Sequence, residues 1–211
     1  DIDKKVYTDG WIVPTMTDLN QRNPLMAQYL LQNSIWWVEY LGLSGIRMDT
    51  YPYPDEAYMT AWTKGMMIEY PDLNIVGEEW YEWPTIVSYW QKGKTNPNGY
   101  TSYLRSVMDF PVQAEMSRAL TLEESWGSGF IKLYEMVAQD FLYPDPMNLV
   151  IFPDNHDMQR IYGQMGEDID LFNQAIVYVA TMRGIPQYYY GTEILMSGSG
   201  DHGIVRSDFP G

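Results

Sequence analysis

The chain has 211 residues, 45% of them hydrophobic and 19% charged, which is typical of a packed globular protein and excludes a disordered or fibrous one. Acidic residues outnumber basic ones by 28 to 13, and the formal net charge of −15 opposes binding to nucleic acid or to an anionic membrane. The absence of cysteine excludes disulfides, zinc-thiolate sites and a cysteine nucleophile. No apolar run approaches the roughly 18 residues that membrane insertion requires, and the opening DIDKKVYTDG lacks the apolar run of a signal peptide.

Segments of helical period alternate along the chain with short apolar runs, which indicates βα units around a parallel sheet in one α/β domain. The first predicted helix covers 24–41, opened by Asn23-Pro24, with Gly42 and Gly45 as stop signals. Further helices are predicted over 56–70, 129–142 and 170–184, the last with Gly184 in the C′ position. Strands are predicted over 45–50, 74–80, 106–110, 148–154 and 185–191, and a loop-rich stretch over 81–103.

Three of the predicted strands end in carboxylates: Asp49, then Glu78 and Glu79, then Asp154 and Asp157. Because active sites of parallel α/β folds lie at the carboxyl ends of strands, these side chains are expected to converge. Retaining glycoside hydrolysis requires two carboxylates about 5–5.5 Å apart. Acidic residues at strand ends also serve as helix N-caps or as magnesium ligands, so the cluster alone leaves these alternatives open. Glu79 points opposite to Glu78 in strand geometry and is predicted to form a structural ion pair or cap.

Five segments around these carboxylates resemble motifs of the alpha-amylase family of glycoside hydrolases, and within it the neopullulanase, cyclomaltodextrinase and maltogenic amylase group. GIRMD at 45–49 is similar to the family's strand-four motif, VGEEW at 76–80 to its strand-five motif, and FPDNHD at 152–157 to its strand-seven motif. The weaker matches are MTDLN at 16–20 and GIPQYYYGTE at 184–193. The motifs stand in the family's order and cover nearly the whole chain.

The resemblance implies a partial (β/α)8 TIM barrel, roughly strands four to eight with their helices. Residues 1–211 are then expected to be the C-terminal part of a catalytic barrel that is incomplete at both ends, since the family's strand-three motif has no match. The implied activity is hydrolysis of α-1,4 glucosidic bonds in starch, pullulan, cyclodextrins or maltooligosaccharides, with α-1,6 cleavage left open. The fragment alone is expected to be inactive, and a catalytically inactive glucan-binding or interaction fragment is the alternative.

The resemblance also assigns roles to single residues. It implies that Asp49 is the nucleophile, that Glu78 is the acid/base and that Asp157 binds and distorts the sugar, which His156 contacts by a hydrogen bond. From strand geometry alone, Arg47 lies two residues before Asp49 and shares its face, so its guanidinium is expected to keep Asp49 ionised.

Arg47 and Asn155 are also predicted to contact the sugar. Trp80 and Tyr51 are predicted to do so because aromatic faces pack well against the C–H face of glucose. Tyr53 and Trp83 are further candidates, and for both Tyr51 and Tyr53 packing against Pro52 and Pro54 in their loop is an alternative of at least equal weight.

The predicted partners are an α-glucan oligosaccharide and the missing barrel strands of a longer parent chain, with a homo-oligomer left open. No metal or other cofactor is predicted as a requirement within this chain. Many family members bind calcium, but the strand-three motif is absent and the segment after Asp49 reads Thr50-Tyr51-Pro52 without a histidine. The glycine-rich SGSGDHG at 197–203 is predicted to be only a flexible turn.

Overall fold

The computed structural model describes residues 13 and 15–210, which fall into two compact units. The first unit contains the chain up to Trp80 together with Ile86–Met108, and the second contains Tyr81–Thr85 and the chain from Asp109 onward. The opening stretch in which we looked for a signal peptide lies outside the described residues. Among the helices that are described, none is long and apolar enough to cross a bilayer.

The first unit contains three parallel strands: β1 (Gly45–Met48) is paired to β2 (Asn74–Gly77), and β2 is paired to β3 (Ser106–Val107). Gly45 lies opposite Asn74, and Val76 lies opposite Ser106. The elements in chain order are α1 (Pro24–Leu41), β1 (Gly45–Met48), α2 (Glu56–Glu69), β2 (Asn74–Gly77), a 3-10 turn (Ser88–Trp90) and β3 (Ser106–Val107). A short helix α3 (Pro84–Val87) lies within the stretch predicted as loop-rich.

The ends of α1 agree with the prediction because they are set by local chemistry. The Asn23 side chain accepts hydrogen bonds from the backbone N–H groups of Leu25 and Met26, which satisfies two donors that a helix leaves free at its start. Gly42 ends the helix in the left-handed conformation, at φ 65°, where glycine carries no steric penalty. Gly45 is the first residue of β1 rather than a stop signal.

The second unit contains two parallel strands, β4 and β5, with Val150 opposite Ile185 and Ile151 opposite Pro186. Its helices and strands in chain order are α4 (Phe110–Thr121), α5 (Ile131–Val137), β4 (Val150–Ile151), α6 (Ile161–Gln164), α7 (Ile169–Thr181), β5 (Ile185–Pro186) and α8 (His202–Val205). Short 3-10 turns cover Asp140–Leu142, Pro146–Asn148 and Thr192–Ile194.

The core of the second unit is formed by α4, α5, α6 and α7 against β4. Its buried side chains are Val112, Met116, Ala119, Leu133, Ile151, Ile161, Met165, Phe172, Ala175 and Val179. A buried ion-pair network lies in the same unit. The Arg183 guanidinium contacts the carboxylates of Asp109 and Asp140, each at 2.6 Å, and the Asp109 side chain is 1% exposed.

The predicted alternation of strands and helices is confirmed, but several boundaries were wrong. Helix α4 was missed because 106–110 was assigned to one strand, whereas Asp109 caps a helix by accepting a hydrogen bond from Val112 N–H. The helix predicted over 129–142 ends at Val137, before a 3-10 turn whose Asp140 binds Arg183. Residues 197–203 are not only a flexible turn, since α8 begins within them at His202.

Gly184 is required for close packing and does not occupy the predicted C′ position of α7, whose C-cap is Met182. Its φ of 104° is strained for any residue with a side chain. A Cβ atom at this position would lie 2.6 Å from the Leu149 carbonyl oxygen and 2.6 Å from a methyl carbon of Ile151. Glycine therefore allows the chain before β5 to approach β4.

Candidate active site

The end of β1 in the first unit brings an arginine and two carboxylates together. One Arg47 nitrogen lies 3.0 Å from Asp49 Oδ1, and the other lies 2.5 Å from Glu78 Oε1. Asp49 directly follows β1, and Arg47, two residues earlier, contacts its carboxylate as predicted. The Asp49 side chain is 61% exposed, whereas that of Glu78 is 4% exposed. One carboxylate is therefore open to a ligand and the other is enclosed.

The surroundings of Glu78 favour its protonated form. Burial is the main cause that raises its pKa above the ordinary 4.5, and a side-chain hydrogen bond with Asp49 raises it further. The Thr50 N–H, 3.0 Å from Glu78 Oε2, and the charge of Arg47 act in the opposite direction without cancelling the rise. Glu78 can therefore hold a proton above the pH at which an ordinary glutamate loses it.

The backbone after β1 wraps around Glu78. Thr50 adopts a left-handed conformation at φ 47°, which is uncommon for a β-branched residue. This conformation lets its N–H donate to the Glu78 carboxylate, while Tyr51 N–H donates to the Glu78 carbonyl oxygen at 3.0 Å. Glu78 N–H in turn donates to the Met48 carbonyl oxygen at 3.0 Å. The position of Glu78 is thus set by the backbone of the neighbouring segment as well as by its own strand.

Glu79 is a second buried carboxyl, 5% exposed, directly after Glu78. Burial raises its pKa to about 7, the Glu78 charge adds to that rise, and a hydrogen bond from the Trp90 indole opposes it. The prediction of an ion pair or cap is corrected, because the donor that Glu79 meets is a neutral indole. A carboxylate in such a site loses its hydration without the compensating charge of a cation, which favours the protonated form.

In the second unit, the loop after β4 presents Asp157 and His156. His156 Nε2 lies 3.0 Å from Asp157 Oδ2. Asn155 is 3% exposed and its side-chain oxygen accepts from Asp157 N–H at 2.8 Å, which corrects its predicted sugar contact to a role in shaping the loop. Asp154 is fully buried and accepts from Ile161 N–H at 2.6 Å, so it serves the start of α6.

Two basic residues near Asp157 were missed in the sequence. The Arg206 guanidinium binds Asp157 Oδ1, and His202 Nδ1 lies 3.6 Å from the same oxygen. The signal that could have paired them is their spacing: His202 and Arg206 stand four residues apart in the helix that Asp201 caps, and this spacing places both on one helical face. Because residues 197–203 were predicted to be a turn, no helical spacing was expected there.

The aromatic residues that were predicted to contact the sugar differ in how deeply they are buried. Trp80 and Trp83 are 48% and 64% exposed, so part of each side chain is accessible from solvent. Tyr51 is fully buried, with its hydroxyl 3.3 Å from Thr63 and its ring packed edge-on against Trp90. The predicted sugar contact of Tyr51 is therefore wrong, and the alternative of packing within the protein holds.

Calcium ions in proteins are held by carboxylate and carbonyl oxygens. Within the part of the chain that the structure describes, no group of three or more His, Asp or Glu side chains is arranged to hold a metal.

The chain matches the family described as alpha amylase, catalytic domain, over residues 4–208. It is 27% identical over 202 residues to a maltogenic alpha-amylase of Bacillus acidopullulyticus, covering 95% of this chain and 32% of that protein. It is 29% identical to neopullulanase 2 of Thermoactinomyces vulgaris, covering 90% of this chain and 30% of that protein. The chain thus spans about a third of the length of these relatives.

The fold matches a solved alpha-amylase of Geobacillus thermoleovorans complexed with acarbose, with a TM-score of 0.83 and 26% identity. The match covers 99% of this chain and 45% of that one. The predicted fold class, part of a (β/α)8 barrel with parallel strands and helices, is thereby confirmed. The chain belongs to the alpha-amylase family, through the catalytic domain of that family.

Proposed function

We propose that this chain carries the reacting groups of a retaining α-glucan hydrolase that cleaves α-1,4 bonds as part of a longer catalytic barrel. The observation that carries the proposal is the contact of one guanidinium, that of Arg47, with an exposed Asp49 and an enclosed Glu78. Retaining glycosidases need one ionised and one protonated carboxyl at the scissile bond, and these two environments favour opposite states.

In the first step the Asp49 carboxylate attacks the anomeric carbon, and the bond between that carbon and the glycosidic oxygen breaks. The leaving oxygen takes the proton of Glu78, which becomes a carboxylate, and the sugar is left as an ester on Asp49. In the second step a water molecule attacks the anomeric carbon while Glu78 removes its proton. The ester bond breaks, and both carboxyls return to their starting states.

Four further residues are assigned supporting roles in this proposal. Arg47 places positive charge beside Asp49, which favours the ionised nucleophile. Asp157 binds the sugar and favours its distortion toward the oxocarbenium-like transition state, with His156 as a hydrogen-bonding partner. Trp80 offers an exposed ring face for stacking on a glucose unit.

An α-glucan is the substrate class that the relatives support. They include a maltogenic alpha-amylase, a neopullulanase and a cyclomaltodextrinase, and the solved relative is an alpha-amylase complexed with acarbose. Since the chain spans 45% of that solved relative, we place the remainder of the catalytic barrel in the parent protein.

The experiment is the substitution Asp49→Asn in the full-length parent enzyme. We expect hydrolysis of soluble starch to fall by about 10⁴-fold or more, because the amide cannot form the glycosyl ester. Maltohexaose binding, measured by calorimetry, should persist. Asp72→Asn, at an exposed position after α2, is the matched control and should leave turnover unchanged. Turnover retained by Asp49→Asn would refute the assignment.

A further inference from the structure

The segment after β5 reaches back to the Asp157 loop through Arg206. The guanidinium binds Asp157 Oδ1 and lies 2.7 Å from the His202 ring, while its Nε donates to the His156 carbonyl oxygen at 3.0 Å. His156 Nε2 lies 3.0 Å from the other Asp157 oxygen. Both oxygens of Asp157 are therefore held, and the plane of the carboxylate is defined by two basic side chains.

The segment that carries Arg206 is itself anchored by a buried guanidinium. Arg160 is 1% exposed and its Nε donates to the Val205 carbonyl oxygen at 3.0 Å, next to Arg206 in the chain. A second Arg160 nitrogen donates to the Tyr190 carbonyl oxygen, and its guanidinium lies 3.9 Å from the Tyr189 ring centroid. Arg206 is thus presented to Asp157 from a fixed piece of backbone.

We infer that Arg206 is a positioning residue that acts through Asp157, holding its carboxylate in the orientation that the sugar requires. This inference rests on the role proposed above for Asp157. A charged donor at Oδ1 restricts rotation of the Asp157 carboxylate, whose side chain is 20% exposed. Misorientation of a group that acts mainly in the transition state lowers kcat more than it changes KM.

The test uses the full-length enzyme with maltohexaose as substrate and acarbose as the binding probe. Arg206→Met should lower kcat by about 10–100-fold and change KM by less than about threefold. Arg206→Lys should recover a substantial part of kcat, because it restores a charge near Asp157 without the planar fork. Arg118→Met is the matched control, since that arginine pairs with Glu82 and Glu115 on the surface of α4, and it should leave both constants unchanged.

A double-mutant cycle with Asp157→Asn separates positioning from other roles. Arg206→Met should weaken acarbose binding by about tenfold in the wild-type background and by less than about twofold beside Asp157→Asn. Equal weakening in both backgrounds, or a raised KM with unchanged kcat, would overturn the inference, because Arg206 would then act on the sugar or on the fold directly. A wild-type enzyme that hydrolyses no α-glucan would instead refute the proposed function.

Discussion

Replacing Glu79 by glutamine is expected to stabilise the enzyme at alkaline pH while leaving its stability at acid pH unchanged. Glu79 is buried beside Glu78 and accepts a hydrogen bond from the neutral Trp90 indole. Glutamine has nearly the same shape, keeps an oxygen for that indole and carries no charge at any pH. The substitution therefore isolates the cost of ionising a carboxyl in this site.

The magnitude follows from the pKa of Glu79, which burial raises from 4.5 to about 7. Between these values the folded protein retains a proton that the unfolded chain has released, so the free energy of unfolding falls as the pH rises through this range. One pKa unit corresponds to about 1.4 kcal/mol, so the total loss by pH 8 is about 3 kcal/mol. Glu79→Gln should remove this loss.

The assay is urea unfolding of the full-length enzyme, followed by tryptophan fluorescence between pH 4 and pH 8.5. The difference in free energy of unfolding between Glu79→Gln and wild type should be close to zero at pH 4 and about 3 kcal/mol in favour of the variant at pH 8. Glu123→Gln, at an exposed position after α4, is the matched control and should give a flat difference over the same range.

A difference between Glu79→Gln and wild type that does not change with pH would refute the reasoning. Such a result would mean that Glu79 ionises in the folded protein as easily as in the unfolded chain. A larger destabilisation at acid pH would instead show that the glutamine amide cannot occupy the site.

Two further substitutions test the packing of the second unit, both by urea unfolding. Gly184→Ala should destabilise the enzyme by about 2–4 kcal/mol, because the new methyl group meets the Leu149 carbonyl oxygen at a strained φ; an unchanged midpoint would contradict the close approach of β5 to β4. Arg183→Met should cost about 3–5 kcal/mol, because it leaves the Asp109 and Asp140 carboxylates without their shared cation; a loss below about 1 kcal/mol would show that water replaces the arginine.

Much of the fold could be predicted because its determinants are local in sequence. The bounds of α1 follow from Asn23 and Gly42, which act on backbone groups within a few residues of themselves. Helix α4 could have been predicted in the same way from its capping residue Asp109, but residues 106–110 were assigned to a strand. The strands were predicted too long, because the number of residues that pair depends on the neighbouring strand, which the periodicity of a single segment does not show.

Within the candidate site, the spacing of two residues predicted the pairing of Arg47 with Asp49, although Asp49 lies just beyond the end of β1. Spacing could not show that Tyr51 turns inward, since its burial depends on Thr63 and Trp90 from distant parts of the chain. The contact of Arg206 with Asp157 was also out of reach, because it joins residues 49 positions apart.

The sequence by itself determined the alternation of helices and strands, the carboxylates at the strand ends and the family to which they point. These features depend on residue type and spacing, which the chain carries without folding. Only the tertiary structure decided that Glu78 is enclosed while Asp49 stays exposed, that Glu79 meets an indole and that Arg206 holds Asp157. The physical reason is that burial and charge pairing arise from contacts between distant segments, and these contacts set which carboxyl keeps its proton.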